Sequence, residues 1–146
     1  MVSKDFSRLQ GSCVNLKGMP DGSLQFSARR FPTMFAAGFR HTILGKLFPD
    51  NRFVRRYMMT DWPHDRIADV DWLSGSALMA RSEMVREIGV LDERFFFFME
   101  ETDWCKRIND AGQHVLLVPG AEVMHMQGES ANRRPTRARV QFYSSR

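Results

Sequence analysis

Between residues 33 and 48 apolar side chains recur every fourth position, at Phe35, Phe39, Ile43 and Leu47, with Met34, Leu44 and Phe48 beside them. That spacing predicts a helix with one apolar stripe, and Pro49-Asp50-Asn51 stops it. Upstream, Pro20-Asp21-Gly22 signals a turn ahead of the alternating Leu24, Phe26 and Ala28, which predict a short strand. Residues 50–69 are charged and aromatic with Pro63 among them, and read as a long surface excursion.

The second half is more regular. Residues 70–80 predict a strand, and Ser82 can cap a short helix that runs through Ile88 and ends on Gly89. Leu91-Asp92-Glu93-Arg94 turns the chain into four consecutive phenylalanines, Phe95 to Phe98, expected as a buried extended stretch. A helix follows, with Glu100, Glu101 and Asp103 in a first turn where the macrodipole favours acids, and with Trp104, Ile108 and Ala111 on one face. Val115-Leu116-Leu117-Val118 predicts a buried strand closed by Pro119-Gly120, and residues 121–125 a last short strand. Strands alternating with helices make this an α/β chain.

Composition narrows the class. With 43% apolar and 26% charged residues the chain is of ordinary globular type. No apolar run approaches the roughly 20 residues of a membrane span. The first residues carry a lysine but no apolar stretch behind it, so no secretory signal is expected and a cytosolic location is. Cys13 and Cys105 lie far apart without a Cys-x-x-Cys partner, which excludes a zinc site of that kind and argues for reduced thiols. The net charge of +4 is unevenly spread. Arg29, Arg30, Arg52, Arg55 and Arg56 lie in the first half and Arg133, Arg134, Arg137, Arg139 and Arg146 in the tail, with an acidic stretch between them. Either a solvated surface or a basic face for phosphates or anionic headgroups accounts for this. No helix-turn-helix, RRM or finger spacing accompanies the arginines, so nucleic acid is not an expected partner.

Four clusters carry candidate chemistry. Glu100-Glu101-Thr102-Asp103 places three carboxylates behind an apolar stretch, where desolvation and like charge raise a carboxyl pKa toward that of a general base. Helix-dipole compensation, with Asp103 paired to Arg107, explains the same residues. His125 follows a strand and can ligate a cation or donate to a phosphate, or simply sit at a strand end. Asp69-Val70-Asp71 matches a metal-diphosphate Asp-x-Asp pair only as any two such aspartates would. Trp72, Ser74, Gly75 and Ser76 form the fourth cluster, in which a glycine lets a ligand approach the backbone, or a bulge form.

Taken in order these pieces resemble the rhamnosyltransferase-like family 2 glycosyltransferases. The resemblance rests on Asp21-Gly22-Ser23 through Arg29-Arg30-Phe31-Pro32-Thr33, then Val70-Asp71-Trp72-Leu73-Ser74-Gly75-Ser76-Ala77, then Ile88-Gly89 with Leu91-Asp92-Glu93-Arg94-Phe95-Phe96. It continues through Glu100-Glu101-Thr102-Asp103-Trp104-Cys105 with Arg107, Ala111-Gly112, Val118-Pro119 and His125 with Gly128 and Ser130. It implies a partial GT-A fold, a mixed sheet with flanking helices, and inverting transfer of a sugar such as rhamnose. The donor would be a nucleotide-diphosphate sugar and the acceptor a glycan or lipid-linked acceptor of cell-envelope polysaccharide synthesis, with a divalent metal, Mg or Mn.

By the same resemblance Glu101 is the catalytic base, a Glu where the family has Asp. Glu100 and Asp103 shape the acceptor pocket, Trp72, Gly75 and Ser76 line the sugar site, and His125 serves the metal or the diphosphate. The family's upstream Asp-x-Asp block and its nucleotide-binding half have no counterpart before Pro20, so a truncated or split enzyme is expected. Its parts would be an N-terminal segment over 1–19, an acceptor-side catalytic half over 20–130 and a basic tail over 131–146. Peripheral membrane attachment through Arg133, Arg134, Arg137 and Arg139, and self-association through an uncovered apolar face, are further expectations. The competing classes are a non-catalytic binding module using the basic tail, and a metal-dependent phosphoryl-transfer enzyme with Glu100, Glu101 and Asp103 as ligands. The latter lacks a lysine placed after that cluster.

Overall fold

The computed structural model describes residues 12–17, 24–36, 47–48, 51–95 and 99–125. Most of the predicted helix over 33–48, three of the four phenylalanines and the whole basic tail lie outside the described residues; residues 34–36 are helical.

Two sheets organise the fold. The larger combines β1 (Ser12–Lys17), β3 (Ala68–Val70), β5 (Leu78–Met79) and β6 (Val115–Met124) in the order β3-β6-β1-β5. β1 runs parallel to β6, while β3 and β5 are antiparallel to their neighbours, so the sheet is mixed as expected. β6 is an inner strand, and Val115, Leu117 and Val118 on it are buried. The strand does not close at Pro119-Gly120. It runs on to Met124, and the proline falls where the register with β1 jumps from Val14↔Val118 to Asn15↔Glu122. A residue without an N–H is tolerated in an inner strand at such a bulge, which is why a proline here reads as an end in the sequence.

The smaller sheet is a ribbon of β2 (Ala28–Arg29) and β4 (Trp72–Leu73). The period of two sends Ala28 and Leu73, opposite each other and both wholly buried, into the core. Asp71 fastens the ribbon's edge, accepting from Arg30 Nη1 at 2.8 Å and from the Phe31 N–H at 2.7 Å. The strand expected within 70–80 is present as two short ones, β4 and β5, separated by the Gly75-Ser76 turn.

The surface excursion expected over 50–69 contains a helix, α1 (Arg52–Met58). Asn51 caps it, its side chain accepting from the Phe53 and Val54 N–H groups at 3.1 and 3.0 Å, and a left-handed Met59 ends it. Phe53, Val54, Tyr57 and Met58 already carry a helical spacing after that cap; the surrounding arginines masked it. In α2 (Ser82–Ile88) the capping position belongs to Arg81, which makes no side-chain cap bond, and Ser82 instead donates to Glu83. Gly89 ends α2 as predicted, at φ 87°.

α3 (Glu100–Asp110) buries Thr102, Trp104, Cys105 and Ile108, the last three in one core cluster with Leu73, Val115 and Leu117. Ala111, expected on that face, is exposed at the helix end. Trp104 also donates its indole N–H to the Gly89 carbonyl at 2.8 Å, and Arg107 donates to the carbonyls of Ile88 and Val90, both at 2.8 Å. These bonds tie α3 to the end of α2. Asn109 bridges the Cys105 and Asp71 carbonyls, tying the last turn of α3 to the chain beside the ribbon.

Candidate active site

A cavity of about 360 Å³ opens between β2, α1, β4 and the start of α3. Gln25, Ser27, Arg29, Trp72, Ser74 and Glu101 line it, with Tyr57 alongside. Glu101 arrives there because Met99, in a left-handed conformation at φ 72°, turns the chain sharply into α3. Its carboxylate accepts from its own backbone N–H and from that of Gly75, while Oε2 is buried and meets no partner among the described residues. Burial chiefly, then the adjacent Glu100 carboxylate, raises its pKa above the ordinary range, against the lowering effect of those two N–H groups. The sequence-based expectation named burial and the like charge of both Glu100 and Asp103; only Glu100 contributes, since Asp103 is paired with Arg107.

Gly75 acts on Glu101 directly. A Cβ added there would stand 3.4 Å from the Glu101 Cβ, so the turn lies flat against that side chain. Trp72 lines the cavity and is held by its indole N–H, which donates to the Arg30 carbonyl at 3.0 Å. Its ring centroid lies 6.5 Å from that of Tyr57, so two aromatic rings border the site. Glu100 lies beside Glu101 with a buried, unpartnered Oε2 of its own. His125 reaches the edge of the site through Gln25, with its Nδ1 3.0 Å from Gln25 Oε1. With Oε1 as acceptor, Nδ1 carries the proton and the neutral ring keeps Nε2 as an acceptor, the tautomer that suits metal ligation. Donation to a diphosphate from Nε2 requires the imidazolium.

Two expected site residues lie elsewhere. Asp103 does not line the cavity; it accepts from Arg107 Nε at 2.9 Å, the helix pairing weighed as its alternative role. Four residues along a helix bring those two side chains together. Ser76 is exposed, its hydroxyl 3.3 Å from that of Ser74, and Ser74 rather than Ser76 lines the cavity. The Asp-x-Asp match dissolves as well, since Asp71 holds Arg30 and Asp69 lies 2.6 Å from His114 Nδ1. Among the described residues no three His, Cys, Asp or Glu side chains converge on a point that could hold a metal. Neither the divalent cation nor the three-carboxylate phosphoryl-transfer site thus finds a ligand set among them.

Sequence reasoning placed Ser74 in a candidate cluster and Arg29 on a candidate basic face, but gave no site role to Gln25, Ser27 or Tyr57. Ser27 is the clearest omission, a buried hydroxyl that lines the cavity and has no partner among the described residues. The one available signal was its alternation with Phe26 and Ala28, and that marks a strand, not a ligand.

With the geometry in hand, comparison with known proteins gives one relative in two strains. The chain is 38% identical over 117 residues to the N-acetylglucosaminyl-diphospho-decaprenol L-rhamnosyltransferase of Mycobacterium tuberculosis, strains CDC 1551 and H37Rv. The match takes in 80% of this chain, which spans 37% of the relative's length. No family model and no solved structure matches the chain. No helix among the described residues is long and apolar enough to cross a membrane.

Proposed function

We propose that this chain forms the acceptor-side catalytic part of an inverting family 2 glycosyltransferase with a GT-A architecture. In this reading it moves a sugar, rhamnose by likeness to the mycobacterial relative, from a nucleotide-diphosphate donor to a lipid-linked saccharide of the cell envelope. The observation that carries the proposal is Glu101, a desolvated carboxylate with one oxygen unpartnered, set in a cavity bordered by Trp72, Tyr57 and polar side chains.

The acceptor sugar enters beside Trp72 and Tyr57, whose ring faces suit the apolar faces of a pyranose. The Glu101 carboxylate then accepts the proton of the acceptor hydroxyl, and the freed oxygen attacks the anomeric carbon of the donor. A carbon–oxygen bond forms on one face as the bond to the diphosphate breaks on the other, which inverts the centre. Burial makes Glu101 a better base than a solvated carboxylate, and the N–H groups of Gly75 and of Glu101 itself hold it in the ionised form it needs. Ser27 offers a hydrogen bond to a substrate hydroxyl. Donor binding falls to the part of the relatives' length that this chain does not span.

The test is transfer by the chain completed with a donor-binding half, followed by release of nucleoside diphosphate. Glu101→Gln keeps size and hydrogen bonding but removes basicity, so turnover falls by about 10²-fold or more while donor affinity changes little. Transfer at the parental rate by that variant removes Glu101 from the mechanism.

A further inference from the structure

His64 takes no part in the mechanism above, yet its setting is not that of an inert core residue. It is 3% exposed, and neither Nδ1 nor Nε2 has a hydrogen-bond partner among the described residues. Buried polar atoms without partners are destabilising, so an apolar side chain would fill the same space at lower cost. The backbone is left-handed as well, at φ 56°, which is unfavourable for a residue other than glycine even though histidine tolerates it better than most. Orphaned nitrogens and strain at one position call for a role beyond filling space.

The contacts of the imidazole suggest which role. Its ring centroid lies 5.0 Å from that of Phe26 and 4.3 Å from that of Trp62, each pair tilted by 59°. Phe26 is part-exposed and lines the cavity of Glu101, where it joins Trp72 and Tyr57 as a third aromatic side chain. Trp62 lines a second cavity, of about 450 Å³, with Arg30, Arg55, Arg56 and Asp71. His64 therefore packs behind a ring that borders the site, with Trp62 against it in turn.

The charge state of the imidazole decides whether it can stay there. Burial first, and then the guanidinium of Arg29 on β2, hold its pKa below the ordinary 6.5, so the ring is neutral at pH 7. No acid nearby is placed to offset these effects. On its own loop Asp61 lies 3.6 Å from Arg55, while Asp65 and Arg66 are exposed; on β4's side Asp71 holds Arg30; on α1 Arg55 and Arg56 are exposed. The packed arrangement is thus complete above pH 6.5 and is lost as pH falls through the lowered value, because a proton favours a ring that has moved toward water and away from Phe26.

We infer that neutral His64 is a positioning residue that holds the Phe26 ring against the acceptor sugar, and that its protonation withdraws this support, so that acceptor affinity falls in acid while the fold persists. The inference rests on the acceptor reading above. It adds a residue that shapes the site without touching substrate, and a pH dependence separate from that of the base. Protonation of Glu101 removes the base and lowers kcat, whereas protonation of His64 raises the acceptor KM.

Two measurements test it. In the full chain without substrate, tryptophan emission is followed from pH 8 to pH 5. An imidazolium 4.3 Å from Trp62 quenches indole emission, so the parent should show a step below pH 6.5 that His64→Phe lacks, at constant far-ultraviolet circular dichroism. In the enzyme completed with a donor-binding half, the parental acceptor KM should rise about tenfold from pH 7 to pH 5.5, the loss expected for one displaced aromatic contact. His64→Phe keeps a ring without the charge, and its KM should stay within about threefold of the parental pH 7 value throughout. His64→Ala and Phe26→Ala should each raise the KM at pH 7 about tenfold with kcat little changed, and the double variant no further, because one residue acts through the other. An emission step or an acid rise in KM that is unchanged in His64→Phe overturns the inference, as do additive effects in the double variant or a parental KM in a folded His64→Ala variant. A completed enzyme that shows the His64-dependent emission step but transfers no sugar overturns the functional reading on which the inference rests.

Discussion

Removing the charge of Glu101 should make the protein more stable at neutral pH. Its carboxyl pKa is raised in the fold above the ordinary 4.5, so the folded state holds the proton more tightly than the unfolded chain. The stability this contributes is complete below the unfolded value and is lost as pH rises through the folded one. At pH 7 the ionised group is thus a burden, with one oxygen buried and unpartnered and a like charge in Glu100 beside it. A buried polar group left without a partner costs about 1–3 kcal/mol. Glutamine keeps an oxygen for the Gly75 N–H and can turn its amide toward Glu100, recovering part of that cost. We expect Glu101→Gln to gain about 1 kcal/mol at pH 7, which raises Tm by about 3 °C for a domain of this size. Thermal unfolding followed by circular dichroism at pH 7 and again near pH 4 measures it, and the gain should shrink toward zero at the lower pH, where the parental carboxyl is protonated. A variant that is no more stable than the parent at pH 7, or a gain that does not depend on pH, would refute the placement of Glu101 as a desolvated carboxylate. The same substitution is expected to abolish most turnover, the familiar opposition of stability and activity at a site.

Two further outcomes test the scaffold that aims Glu101. Arg107→Ala removes the bonds to Ile88 and Val90 that tie α3 to the end of α2, and the pairing with Asp103 within α3, and should lower stability by about 2 kcal/mol, read as a shift in urea midpoint without a change of slope. The Cys105 thiol is buried and pushed up to about 11, by burial first and then by the nearby Glu101 charge, so in a Cys13→Ser background a disulfide reagent at pH 8 should label it slowly until denaturant is added.

Each side of the ribbon has its own neighbours. Alternation along β2 and β4 sends Leu73 and Ala28 to the core, Trp72 and Arg29 to the cavity of the base, and the flanking Arg30 and Asp71 to the second cavity. A single ribbon thus joins the core to both cavities, and a register slip of one residue would exchange the residues that face them.

Local patterns were enough to place α3, its acidic first turn, its buried Trp104 and Ile108, and the inner strand beginning at Val115, because each depends on a repeat of 3.6 or an apolar run. The end of α2 at Gly89 was equally legible, since a positive φ favours glycine. Tertiary contact decided the rest. Glu101 and Asp103, two residues apart on one turn, diverge because the first meets Gly75 and the cavity while the second meets Arg107. Asp69 and Asp71, a matched pair on paper, are held by His114 and Arg30. Proline ended β6 in the sequence, yet a bulge against β1 absorbs it. The gathering of Gln25, Ser27 and Tyr57 around Glu101 was not legible, because these residues are brought together by long-range pairing of β2 with β4 and by the docking of α1, and neither leaves a period in the chain.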